Sequence, residues 1–170
     1  MDKARISAIA AVDGKNGMGK DNKIPWHIKE DLVRLREFTK GNVAILGRKT
    51  YESMVWYYDR SGKPMPAKLY IVITSDANYK PTRENVTIAN SLQDAIKRGK
   101  GESEIFVLGG GQVFKEAIEG GFVDRIYLTV VEGDFDCDTF FPDYSSFKVV
   151  SEGKGESEGQ KYTYKILEKN

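Results

Sequence analysis

The chain has 170 residues, 40% of them apolar, and its 26 Lys and Arg side chains nearly balance its 25 Asp and Glu. This length predicts one domain with a core of its own, and a net charge of +1 argues against a nucleic-acid partner. One Cys and one His exclude an internal disulfide framework and a Cys/His zinc site, so we expect a reducing compartment, the cytoplasm.

Apolar runs of strand length alternate along the chain with stretches of helical periodicity. We predict strands over residues 6–12, 43–46, 69–74, 86–89, 104–108 and 124–131, and helices over 28–39, 50–54, 91–97 and 111–119. Because the strands are almost continuously apolar, we expect a single-domain α/β fold with a mostly parallel central sheet flanked by helices. Strands over 147–152 and 162–167 would add an antiparallel C-terminal hairpin. We see no secretory signal and no run of about 18 apolar residues, and expect no membrane partner.

Two predicted loops are longer than ordinary connections. Residues 13–24 carry three glycines and follow the first strand, and residues 56–68 precede the third strand. Loops of this length in a compact domain are commonly binding loops or lids, and open α/β sheets bind ligands beyond the carboxyl ends of their strands. We therefore expect the first loop to be functional, whereas surface decoration is an equally good interpretation of the second.

Asp31 is the most informative single residue. It lies three residues after Ile28 and four before Leu35, so it shares the apolar face of the first predicted helix. Its charged neighbours on the same helix are expected to point to solvent: Glu30, Arg34 and Glu37. The helix dipole favours an Asp in a first turn, but it explains less well an Asp among apolar side chains. A carboxylate in such a place is also a candidate functional group with a raised pKa.

Two strands run through glycine directly into a helix. Three glycines at 109–111 would let the backbone approach a ligand, and the helix that follows would offer N–H groups to phosphate. The pattern is neither a P-loop nor the GxGxxG fingerprint, because Phe114 stands where the third glycine would fall. The second turn places Arg48 and Lys49 between Gly47 and Thr50, which we predict as a helix N-cap. With Thr74 and Ser75 ending a third strand nearby, a dinucleotide is favoured.

The other reactive side chains are expected to have no chemical role. His27 stands at a predicted helix start, where a polar capping or surface role is favoured. Cys137 lies between Asp136 and Asp138, which oppose thiolate formation.

In their order and spacing, these segments resemble the dihydrofolate reductase family over nearly the whole chain. The motifs that carry the resemblance are IAAVD at 9–13, GMG at 17–19, IPW at 24–26, DL at 31–32, GRKTYESM at 47–54, MP at 65–66, GGGQVF at 109–114, YLT at 127–129 and DTFFP at 138–142. Each motif is weak alone, but together they are highly specific.

The resemblance implies NADPH-dependent reduction of 7,8-dihydrofolate to tetrahydrofolate, with hydride delivered to C6 and a proton from water to N5. We expect a monomer, because nothing in the sequence reads as an obligatory interface. Asp31 would bind the 2-amino group and N3 of the pterin, and Thr129 would hydrogen-bond to that carboxylate and to the pterin. Lys68 would face the glutamate tail of the substrate, and antifolate inhibitors are expected to bind. The apolar walls of the substrate site would be Ile9, Ala11, Leu32, Leu35 and Met54.

The resemblance also implies a binding site for NADPH beside the substrate site. The loop from Gly14 to Ile24 would close over nicotinamide, Arg48 and Ser75 would meet the 2′-phosphate, and the turns after two strands would hold the pyrophosphate. The expected NADPH-binding residues are Ala11, Gly17, Met18, Gly19, Asn22, Lys23, Ile24, Gly47, Arg48, Lys49, Thr50, Thr74, Ser75, Gly109, Gly110, Gly111, Gln112, Val113 and Phe114.

Three features depart from the family pattern. Lys68 stands where an Arg is usual, and Lys lacks the planar bidentate contact with a carboxylate. Gln112 stands where several relatives have a second cation, and residues 56–62 are hard to align. Two alternatives therefore stay open: a same-fold reductase of a riboflavin-pathway pyrimidine or another pterin, and a non-catalytic NADP-binding protein. Asp31 with Thr129 favours the pterin reductase, since a protein that only binds NADP has no need of that carboxylate.

Overall fold

The computed structural model describes residues 4–21 and 23–170. Its strands are β1 Arg5–Val12, β2 Gly17–Gly19, β3 Val43–Gly47, β4 Leu69–Ile73, β5 Val86–Ala89, β6 Glu104–Gly109, β7 Arg125–Val131, β8 Thr139–Phe140, β9 Phe147–Ser157 and β10 Gln160–Lys169. Its helices are α1 Lys29–Thr39, α2 Arg48–Ser61, α3 Leu92–Arg98 and α4 Gly111–Glu119. No helix in the described part of the chain is long and apolar enough to cross a membrane.

The main sheet has eight strands in the order β5-β4-β3-β6-β1-β7-β10-β9. The six strands from β5 to β7 pair in parallel, and the β9–β10 hairpin adds two antiparallel strands beside β7. The inner strands are buried on both faces, as Ala44, Ile45 and Leu46 show with no exposed surface. The predicted fold class is therefore confirmed. The carboxyl ends of β1, β3, β4 and β6 share one edge of this sheet.

The prediction of a loop over residues 56–68 is wrong in its first half, because α2 continues to Ser61. Tyr51 and Tyr58, seven residues apart, are both buried on the same side of this helix. On the exposed side, the guanidinium of Arg60 lies 3.8 Å from the ring centre of Trp56, one turn earlier. Gly62 ends the helix in the left-handed conformation, with φ 72°. A short loop, not a long one, thus connects α2 to β4.

The C-terminal hairpin is longer than predicted, since β9 continues to Ser157 and β10 begins at Gln160, on either side of a turn at Glu158 and Gly159. Gly155 pairs with Tyr162, and the tyrosine ring covers the space above the glycine. The first long loop also contains structure that the sequence did not predict: β2 pairs with β8 as a small separate sheet.

Candidate functional site

Asp31 lies in the first turn of α1 and faces β7. Thr129 of β7, only 1% exposed, donates its hydroxyl to Oδ1 of Asp31. Ala11 of β1 is the parallel neighbour of Thr129 in the sheet. The Asp31 side chain is 23% exposed, so the carboxylate is largely desolvated but still open to a ligand.

Burial raises the pKa of the Asp31 carboxyl above its ordinary value, while the Thr129 hydroxyl and the Arg34 guanidinium act to lower it. Nη1 of Arg34 lies 3.4 Å from Oδ1 of Asp31, so the expectation that Arg34 points to solvent is wrong. Both hydrogen bonds that the described residues make to this carboxylate end on Oδ1, which leaves Oδ2 for a ligand. Such a carboxylate suits a heterocycle with adjacent N–H donors.

The residues expected to form apolar walls are half-buried and lie on three elements: Ile9 and Ala11 on β1, Leu32 and Leu35 on α1, and Met54 on α2. Half-buried apolar side chains at the border of the core can pack against a flat ring without unfolding anything around it.

Lys68 lies just before β4, and its N–H donates to the carbonyl of Asn42, shortly after α1 ends. Its Nζ lies 2.6 Å from Oε1 of Glu102. The lysine side chain is half exposed, so this ion pair is in contact with water. Glu102, which no sequence pattern indicated, thus forms an ion pair with Lys68, the cation expected to face the glutamate tail of the substrate.

The two glycine turns meet because β3 and β6 are neighbours, with Leu46 opposite Gly109. A Cβ on Gly110 would lie 3.1 Å from Oγ1 of Thr50, and one on Gly111 would lie 3.1 Å from Cγ2 of Thr139. Gly109 has φ 126°, a conformation that side chains rarely adopt. The backbone conformation thus favours glycine at 109, a Cβ at 110 or 111 would be tightly packed, and the turns form a narrow backbone cradle.

The cradle fits a pyrophosphate group. Gly110 is the N-cap of α4, so helix geometry leaves the N–H groups of Gly111, Gln112 and Val113 without intrahelical partners. Phe114 fits less well than expected, because its N–H is bonded to the Gly110 carbonyl and its ring packs in the core against Phe141.

Thr50 is not the N-cap of α2. The helix begins at Arg48 with Gly47 as its cap, because the backbone of Gly47 is still extended while Arg48 and Lys49 are already helical. Thr50 instead lies in the first turn, with its hydroxyl toward Gly110. This position beside the glycine turn is compatible with the expected contact to a ligand, although Thr50 reaches it from the first turn of α2 and not as the N-cap.

Arg48 lies beside the end of β4, where Thr74 and Ser75 are found, as the sequence suggested. Its guanidinium stacks 4.3 Å from the ring centre of Tyr79. Two carboxylates that the sequence analysis did not consider approach it: Glu52 and Asp76, each at 3.6 Å. All three charged side chains are about half exposed, so a ligand phosphate can compete with these carboxylates for the guanidinium. Lys49 nearby is exposed.

The first loop lies against the glycine cradle. Cε of Met18 is 3.4 Å from the place where a Cβ of Gly111 would stand. Ile24 is 65% exposed and Lys23 is exposed as well, so both can meet a ligand that binds under the loop. Gly17 and Gly19 form the ends of β2. Asn22 lies outside the described residues.

Asp13 anchors this loop, a role that the sequence analysis missed. Its buried carboxylate accepts hydrogen bonds from the N–H groups of Lys15, Gly17 and Phe135 at 2.8–3.0 Å. Burial would raise the pKa of Asp13, but these N–H groups hold it below its ordinary value. An Asp followed by glycines is a turn signal, which could have indicated the two local hydrogen bonds. Burial and the nearby Asp13 raise the pKa of Cys137 to about 11, so this thiol is protonated at physiological pH.

Comparisons with known proteins extend over nearly the whole chain. A family model described as dihydrofolate reductase matches residues 5–169. The dihydrofolate reductase of Bacillus subtilis (strain 168) is 35% identical over 167 residues, 95% of this chain and 92% of that protein. That of Staphylococcus haemolyticus is 36% identical over 163 residues, 94% of this chain and 92% of that protein. Among solved structures, dihydrofolate reductase from Enterococcus faecalis complexed with NADP(H) and RAB-propyl gives a TM-score of 0.82 at 32% identity, covering 99% of this chain and 98% of that one.

Proposed function

The chain belongs to the dihydrofolate reductase family, and on that premise we propose that it catalyses the NADPH-dependent reduction of 7,8-dihydrofolate to 5,6,7,8-tetrahydrofolate. The observation that carries the proposal is the Asp31 carboxylate. It is largely desolvated, fixed by Thr129 through Oδ1, and has Oδ2 left for a ligand. A pterin offers its 2-amino group and N3–H side by side, which matches such an acceptor.

The reaction reduces the C6–N5 double bond of dihydrofolate. When bound, NADPH would supply the hydride for C6 and be released as NADP⁺, and N5 would receive a proton from solvent by way of a water molecule. Asp31 orients the pterin and, as an anion, stabilises positive charge that develops on the ring during protonation. Thr129 holds Asp31 in place. The loop at 13–24 excludes bulk water from the reacting atoms.

The glycine cradle and Arg48 form the main part of the proposed NADPH site. We propose that the free N–H groups of Gly111, Gln112 and Val113, with Thr50 and Lys49, bind the pyrophosphate. Arg48 and Ser75 bind the 2′-phosphate, which displaces the contacts of Arg48 with Glu52 and Asp76. The nicotinamide end is bound by Met18, Lys23, Ile24 and the backbone of Ala11, Gly17 and Gly19.

Absorbance at the NADPH band tests this function directly. Purified protein with NADPH and dihydrofolate is expected to oxidise the cofactor, and the product should be identified as tetrahydrofolate. A parallel reaction without dihydrofolate gives the background rate. No oxidation above background at generous substrate concentration would overturn the proposal.

The same assay with the pyrimidine in place of dihydrofolate, together with a measurement of NADPH binding, separates the two alternatives. A pyrimidine reductase of the riboflavin pathway would act on its pyrimidine and not on dihydrofolate, and a non-catalytic protein would bind NADPH without turnover. The family match over residues 5–169 and the geometry around Asp31 favour dihydrofolate.

We also propose that residues 1–170 work as one cytoplasmic, monomeric domain without a nucleic-acid partner. The net charge near zero supports the part of this proposal that concerns nucleic acid. Antifolate inhibitors that present two N–H groups to Asp31 are expected to compete with dihydrofolate.

A further inference from the structure

Arg34 is held between the substrate-binding carboxylate and two aromatic rings. Its Nη1 lies 3.4 Å from Oδ1 of Asp31, and its Cζ lies 3.9 Å from the ring centre of Tyr164 and 5.7 Å from that of Tyr162. The side chain is 29% exposed. An arginine on a solvent-facing helix surface would have no reason to be so enclosed.

The register of the sheet explains this arrangement. Tyr164 of β10 is directly opposite Thr129 of β7 in the antiparallel ladder, so their side chains project from the same face. Tyr162, two residues earlier on β10, projects from that face as well. Asp31 and Arg34 are three residues apart on α1 and therefore adjacent on the helix surface. The aspartate meets Thr129, and the arginine meets the tyrosine in the next strand.

Only an arginine makes both contacts well. The planar guanidinium can stack on a ring face while one edge donates to a carboxylate, whereas an ammonium group is a compact charge on a more flexible chain. The aromatic contact holds the guanidinium in place, so Arg34 is a second donor to Oδ1 of Asp31 beside the Thr129 hydroxyl.

The other groups around Asp31 do not replace this cation. On α1, Glu30 carries a like charge that disfavours the ionised aspartate. On β10, burial raises the pKa of Tyr164 to about 12, so this phenol is neutral at physiological pH. On β7, Thr129 is neutral, and the phenol ring of Tyr127 stacks on Phe38 of α1. Among the described residues with contacts to Asp31, Arg34 is thus the positive charge.

We propose that Arg34 is a positioning residue of the reductase, which holds the Asp31 carboxylate ionised and in the orientation that accepts the pterin. This inference rests on the proposed function, since it assigns a partner to the carboxylate that binds the substrate. Arg34 itself touches Asp31 and not the reacting atoms.

The test compares Arg34→Gln and Arg34→Lys with Arg98→Gln. The control is a matched loss of an ion-paired helical arginine on a different helix, because Arg98 pairs with Asp94 on α3. The pH profile of kcat/KM for dihydrofolate is measured at saturating NADPH. For Arg34→Gln we expect the acid limb to move to higher pH and KM at neutral pH to rise roughly two- to fivefold, the range for a partly exposed ion pair. Turnover at saturating dihydrofolate should change less than KM. Arg34→Lys should recover part of the shift, and Arg98→Gln should match the wild type.

A second readout does not depend on activity. The carboxyl ¹³C signal of Asp31, assigned by its loss in Asp31→Asn, is titrated in the protein without ligands. Its midpoint should move to higher pH in Arg34→Gln and stay unchanged in Arg98→Gln. An unchanged midpoint in Arg34→Gln overturns the proposal even if the protein reduces dihydrofolate. A shifted midpoint with an unaltered kcat/KM profile also overturns it, because Arg34 would then have no part in binding. Failure of the wild type to oxidise NADPH with dihydrofolate would instead overturn the function itself.

Discussion

Two aspartates, Asp13 at the base of the first loop and Asp31 on α1, are both withdrawn from water, yet their surroundings act in opposite directions. Asp13 accepts three backbone N–H groups, and its pKa is lowered despite its burial. Asp31 is bonded by one hydroxyl and one guanidinium on a single oxygen, and burial raises its pKa. A carboxylate whose two oxygens both accept hydrogen bonds from the backbone holds the structure together. A carboxylate with hydrogen bonds on one oxygen only has the other left to bind a ligand. The number of donors, more than the depth of burial, distinguishes the two roles.

The largest expected effect is on turnover in Asp31→Asn. The amide keeps the shape of the side chain and can still accept from Thr129, but it carries no charge to stabilise a protonating pterin. We expect kcat/KM for dihydrofolate at neutral pH to fall by about a hundredfold or more, comparable to the loss of other electrostatic contacts in active sites. Part of the activity should return at low pH with a substrate that is already protonated.

The matched control for that variant is Asp13→Asn, which removes the other withdrawn charge. It should affect dihydrofolate turnover much less than Asp31→Asn, because Asp13 reaches the site only through the loop. Equal losses of turnover in both variants at neutral pH would contradict the division between a structural and a functional aspartate.

The second effect is on the pH dependence of stability, and its sign should differ between the two variants. A lowered pKa means that Asp13 stabilises the folded protein above its ordinary pKa, and that this stabilisation is lost as the pH falls below that value. A raised pKa means that ionised Asp31 costs stability once the pH is above its folded pKa. Asp13→Asn should therefore lower Tm at neutral pH by several degrees and matter less in acid, since about 1–3 kcal/mol follows the loss of buried hydrogen bonds. Asp31→Asn should raise Tm at neutral pH.

Thermal unfolding of both variants and the wild type at neutral pH and near pH 3, followed by circular dichroism, measures these changes. If Asp31→Asn lowers Tm at neutral pH as Asp13→Asn does, the ionised carboxylate of Asp31 does not destabilise the folded protein. The contrast between the two aspartates would then be lost.

The sequence predicted the sheet and Asp31 because both depend on local periodicity. Alternating apolar runs indicated the parallel strands, and the spacing of Asp31 from Ile28 and Leu35 placed it on the buried face of α1. The interactions that complete the site are long-range and leave no local pattern. Arg34 depends on Tyr164, and the third N–H group on Asp13 comes from Phe135, 122 residues later. The extension of α2 was missed because Trp56 and Arg60 face solvent and interrupt the apolar period.

The smallest expected effect concerns a partly buried carboxylate, Glu102, which extends the comparison to the ion pair at Lys68. Its ion pair with Lys68 is in contact with water and therefore weak, so a substrate carboxylate can compete with Glu102 for the cation. In Lys68→Arg the planar guanidinium can form a bidentate contact with the α-carboxylate of the glutamate tail. We expect KM for dihydrofolate to fall by about two- to fivefold, the range for an exposed ion pair, with kcat unchanged. A reduced pterin without the glutamate serves as the control substrate, and its KM should stay the same in this variant. An equal fall in KM for both substrates would show that position 68 acts on the pterin ring and not on the tail.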